Sequence, residues 1–72
     1  MKFVREDRPR VVIWDSGGPT VRVKKPTANG DPAEIGASAV CGLTAEAAMA
    51  LANALLEAVA ECNRLNEVAA NV

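Results

Sequence analysis

The sequence predicts an α+β domain: a three-stranded antiparallel sheet, with a candidate fourth strand at its edge, followed by one long C-terminal helix packed on one face. Three observations carry that expectation. Arg10-Val11-Val12-Ile13-Trp14 is short, β-branched and aromatic, which suits a pleated and largely buried strand. Thr20-Val21-Arg22-Val23-Lys24-Lys25 alternates, with Val21 and Val23 on one face and Arg22 and Lys24 on the other. After Thr44 the chain becomes rich in Ala and Leu at helical spacing.

Each element follows from local chemistry. Lys2-Phe3-Val4-Arg5 is the candidate edge strand, limited by the Glu6-Asp7-Arg8-Pro9 that follows. Asp15-Ser16-Gly17-Gly18-Pro19 is dense in turn formers, so the first two strong strands read as a β-hairpin with a loop of about five residues. Pro26 to Pro32 is a second loop, exposed and mobile, bounded by prolines that cannot extend a ladder. Glu34 to Cys41 is the third strand, with Ile35, Ala37, Ala39 and Cys41 on one face; their small size invites close approach of a helix. Thr44 is a good N-cap and Glu46 lies in the first turn, where the helix dipole favours a negative charge. The helix stripe is read as Ala48, Leu51, Ala52, Leu55, Val59, Cys62 and Ala69, widened by Leu56, Ala58 and Leu65, and Glu61 can pair with Arg64. The chain is thus one small domain over 1–72, with a charged N-terminal arm or edge strand at 1–9, the sheet at 10–41 and the helix at 44–70.

With 72 residues, one Phe, one Trp and no Tyr, the core is thin. A helix from Thr44 to Leu65 spans about 33 Å and a six-residue strand about 20 Å, so the helix should overshoot its sheet. Its stripe continues through Cys62 and Leu65, which predicts cover from a second copy. The expected dimer interface is Leu55, Val59, Cys62, Leu65 and Ile13, the last because one face of the first hairpin strand would be left uncovered.

Glu46, Asn53, Glu57 and Glu61 interrupt the apolar run of the helix, which excludes a membrane span of roughly 20 residues. MKFVREDRPR has charges where a signal peptide needs its apolar segment, so the chain is expected to be cytoplasmic. Charge is lopsided. Met1 to Lys25 holds seven basic and three acidic residues, a net of +4; Pro26 to Val72 holds one basic and six acidic, a net of −5. A basic sheet and an acidic helix result.

Asp15-Ser16-Gly17-Gly18-Pro19 resembles the DSGGP around the nucleophile of trypsin-like serine proteases. That chemistry needs a histidine base, and the sequence contains no histidine; the segment reads as a turn. Lys24 and Lys25 lie at the far end of the hairpin from Ser16, too remote for a Ser–Lys dyad. Cys41 precedes the helix and Cys62 lies roughly 27 Å along it, too far apart for a disulfide. Two thiols without a CxxC pair or histidine make a poor zinc site. Gly17-Gly18 and Asn29-Gly30 lack the spacing of a phosphate loop. No catalytic residue, metal ligand, cofactor or small-molecule substrate is expected.

What remains is surface. Arg10, Arg22, Lys24 and Lys25, with Asp15 and Ser16 of the hairpin, are the candidate contacts for a macromolecular partner. Another protein fits this patch better than nucleic acid, because no aromatic is interleaved for base stacking, and a structural assembly subunit is a third reading. Leu43-Thr44-Ala45-Glu46-Ala47-Ala48, Leu51-Ala52 and Leu55-Leu56-Glu57-Ala58 resemble the closing helix of small uncharacterised bacterial and phage proteins that pair a few strands with one Ala/Leu-rich helix. That resemblance implies a cytoplasmic accessory protein of a bacterial or phage-infected cell, in a class that includes inhibitors of host defence such as anti-CRISPR proteins, which act by occluding a surface.

Overall fold

A computed structural model describes residues 4–16, 19–38 and 42–71. Strands β1 (Arg5–Asp7), β2 (Arg10–Asp15), β3 (Thr20–Lys24) and β4 (Glu34–Ala37) precede helix α1 (Ala45–Ala70). The strands form one antiparallel meander in the order β1-β2-β3-β4, and α1 lies across one face. The expected α+β arrangement is present, with the fourth strand included. That strand runs over Arg5–Asp7, where the turn through Arg8 and Pro9 sets Arg5 opposite Val12 and Asp7 opposite Arg10; Lys2 and Phe3 of the expected edge strand lie outside the described residues. Charges are tolerated there since an edge strand has one side in water. The third expected strand is described as far as Ala37; Ala39 to Cys41 lie outside the described residues.

Strict alternation along β2 would separate Val11 and Ile13 from Val12 and Trp14. The structure corrects this. A bulge lies between Val12 and Trp14: Val12 faces Arg22 while Trp14 faces Val21, leaving Ile13 supernumerary. Ile13 stays with Val11, Val21 and Val23 in the core, where alternation already places it, and the bulge brings Trp14 from the opposite face against the same cluster. Val12 is buried on the opposite face, where its cross-strand neighbours are Arg5 and Arg22.

The helix is capped by the Thr44 hydroxyl, which accepts from the Ala47 N–H at 3.1 Å. Its buried line differs from the expected stripe. Ala54 and Ala58 sit in the core, flanked by Leu51, Cys62 and Leu65, whereas Leu55, Leu56 and Val59 are exposed. The helix is turned by roughly 60° about its axis from the expected orientation. Alanine has the smallest side chain that still buries a Cβ, so its presence at the contact lets the helix settle closely on the β-branched sheet face.

Cover for the distal helix comes from the chain itself. The loop entering β4 runs alongside the last turns, with Ala33 buried. The Ala33 N–H donates to Asn66 Oδ1 at 2.7 Å and the Cys62 thiol donates to the Ala33 carbonyl at 3.2 Å. Cys62 and Leu65 are consequently satisfied within one copy. The preceding loop is braced by its own bonds: Thr27 N–H to Asp31 O, Asp31 N–H to Thr27 Oγ1, and Gly30 N–H to Thr27 O, with Gly30 at φ +93° where a side chain would be strained.

Candidate functional site

The outer sheet face, away from the helix, collects the side chains in register. One row across the sheet is Arg10, Lys24 and Glu34; the next is Arg5, Val12, Arg22 and Gly36; a third pairs Asp15 with Thr20. Arg10, Arg22 and Lys24 surround a hollow of ≈ 320 Å³ whose remaining walls are Thr20, Gly36, Ala37 and Ser38. Gly36 makes the hollow: a Cβ added there would meet nothing within 4 Å. The Thr20 and Ser38 hydroxyls are linked at 2.8 Å on its rim.

No ion pair joins Arg10, Arg22 or Lys24 to a carboxylate among the described residues, although Lys24 lies across from Glu34 in the ladder. Arg10 faces Lys24 directly, a like-charge pair that opposes folding by roughly 0.2–1 kcal/mol. Arg64 and Glu61, in contrast, form a two-pronged pair at 2.7 Å on the helix. The hydrogen bonds donated by Arg64 hold the Glu61 carboxyl below its ordinary value, and their acceptance by the Glu61 carboxylate raises the Arg64 guanidinium.

Lys25 does not belong to this patch. It follows the phase of Val21 and Val23 to the helix side of the sheet, where it pairs with Glu6 and adds to the lowering of the Glu61 carboxyl. The expectation of one cluster holding Arg22, Lys24 and Lys25 is therefore divided between two faces. Asp15 is exposed at the end of β2, opposite Thr20. The Ser16 hydroxyl donates to the Pro19 carbonyl at 3.3 Å, closing the hairpin turn. Thr20, Ser38 and Gly36 enter the site unannounced by any motif, because their convergence depends on the β3–β4 register.

Of the residues expected at a dimer interface, Ile13 is buried inside the chain and offers no surface; Cys62 and Leu65 pack on the core; Leu55 and Val59 are exposed. Cys62 is a free thiol, and Cys41 lies outside the described residues. Among the described residues no three His, Cys, Asp or Glu side chains converge as metal ligands, and no helix is long and apolar enough to cross a membrane. No protein family, curated protein or solved structure matches the chain.

Proposed function

We propose that the chain is a non-catalytic binding module whose outer sheet face takes an acidic surface of another protein. The observation that carries this reading is the trio Arg10, Arg22 and Lys24 around the Gly36 hollow, three cations that form no ion pair among the described residues, with one like-charge pair facing across the ladder. Such an arrangement costs the folded chain stability, and carboxylates supplied from outside would remove the cost. Arginine suits that task because its planar fork binds a carboxylate through two parallel hydrogen bonds. A sequence without histidine, in which the Ser16 hydroxyl closes a turn, favours binding over turnover. Occlusion of an acidic surface needs no reactive group.

The face favours protein over nucleic acid because the rows that hold the cations carry no aromatic side chain on which a base could stack. Titration with an Asp/Glu-rich peptide, and separately with a single-stranded oligonucleotide, tests the choice. Amide resonances of β3 and β4 should shift with the peptide, and Arg22→Glu should abolish the effect. Tighter binding of the oligonucleotide, with log affinity falling steeply and linearly in log salt, would transfer the face to nucleic acid.

A further inference from the structure

The two edges of the sheet are built differently. β1 closes one side with Arg5, Glu6 and Asp7, three charges in a strand of three residues, the composition that discourages pairing with another chain. β4 closes the other side with Glu34, Ile35, Gly36 and Ala37 and is exposed along its whole length. Its backbone is also oriented for pairing. The Ser38 N–H donates to the Thr20 carbonyl at 3.0 Å, and the same register sets Arg22 opposite Gly36 and Val21 opposite Ala37. Hydrogen-bonded and non-bonded pairs alternate along an antiparallel ladder. Gly36 and Glu34 thus bond to β3, while Ile35 and Ala37 direct both N–H and C=O outward.

Beside this edge the chain exposes large apolar side chains. Ile35 is 38% exposed, Leu55 37% and Val59 46%. Cys62 and Asn66, one and two turns beyond Val59 and two and three beyond Leu55, contact Ala33 just ahead of β4, so this side of the helix leans toward the β4 edge. Total surface points the same way. A compact 7.5 kDa monomer exposes about 4200 Å², whereas this chain exposes 5084 Å². The excess, on the order of 800 Å², is what each partner contributes to an interface of standard size.

We infer that β4 is the two-fold interface of a homodimer, paired antiparallel with β4 of a second copy and centred on Gly36. Only a register centred on a residue keeps both helices on one face, because side chains alternate with period two. Centring on Gly36 sets Ile35 opposite Ala37 of the second copy and, by symmetry, satisfies all the outward backbone groups of these two residues in four hydrogen bonds. Centring on Ile35 would instead demand Ala33, whose N–H and C=O are already taken by Asn66 and Cys62. The joined sheet spaces β3 from β3 of the second copy by about 14 Å. Helices roughly 10–12 Å across then leave a narrow gap, which Leu55 and Val59 fill above Ile35. On the outer face the two Gly36 hollows merge into one trough with Arg22 on both walls. The inference stands independently of what that trough binds.

Sedimentation equilibrium on the full chain should return twice 7.5 kDa. Amide exchange followed against concentration is the sharper readout: Ile35 and Ala37 should exchange fast when dilute and slowly when concentrated, while Gly36 stays protected throughout. Ala37→Pro removes an outward N–H that β3 does not use, an edge position where proline is tolerated, and should return the monomer with unchanged far-ultraviolet circular dichroism. Leu55→Glu on the helix, which leaves the strand intact, should do the same and covers the case in which the proline variant fails to fold. A monomer at every concentration up to roughly 1 mM, or a dimer in which Ile35 and Ala37 still exchange fast, would overturn the inference.

Discussion

The side of α1 that meets the sheet carries Ala54 and Ala58 at its centre, whereas the side turned away carries Met49 and Leu56. An amphipathic helix ordinarily places its bulk inward. Here the sheet supplies the bulk, through Val11, Ile13, Val21 and Val23, each worth about 1.5–3 kcal/mol on full burial, and the helix supplies proximity. The lesson is that helix side chains near this core are chosen for how closely they let two elements approach. Apolar area that a larger contact residue would have buried is left on the far side.

The difference can be broken most severely from the sheet. Ile13→Ala, at the largest fully buried side chain, should cost about 2–5 kcal/mol and lower the thermal midpoint more than any helix truncation. Enlarging the helix contact comes next: Ala58→Leu has no room beneath it and should cost about 1–3 kcal/mol by overpacking, measured by urea denaturation. Thr44→Ala removes the cap accepted by Ala47 and should cost about 1 kcal/mol, with fraying confined to the first turn in amide exchange. A smaller effect attends acid. Glu61, held low by Arg64, contributes stability above its unfolded-state pKa that is lost as pH falls through the folded value; Glu61→Gln should flatten the acid limb of a stability profile, modestly because the guanidinium is solvated. Smallest of all, Leu56→Gln in dilute solution should change the unfolding free energy by less than about 0.5 kcal/mol. A large loss there would mean that the far side of the helix belongs to the core after all.

The fold was legible where side-chain chemistry changes with the period of the backbone. Val21 and Val23 against Arg22 and Lys24 set β3 without ambiguity, and Thr44 marked where the helix begins. The phase of the helix was not legible, because alanine on every side makes the apolar arc too broad to have a centre, and periodicity does not weigh size. The bulge was hidden for a related reason: Val11 to Trp14 is apolar throughout, so no alternation records where it slips. In the candidate site, Arg10, Arg22 and Lys24 could be read from one hairpin. Thr20, Ser38 and Gly36 could not, since strands separated by a braced loop decide their meeting. Lys25 was misplaced because the basic pair Lys24-Lys25 reads as one patch, while the pleat sends neighbours to opposite faces.

The bulge has a consequence for how this chain tolerates change in length. Ile13 is a surplus residue in the ladder, so excising it would leave Trp14 facing Val21 and Asp15 facing Thr20 as before. A deletion inside a core strand ordinarily throws every later side chain onto the wrong face. Here it would leave the topology in frame and remove only filling, so the chain carries its heaviest ballast at the one strand position where its architecture could spare a link.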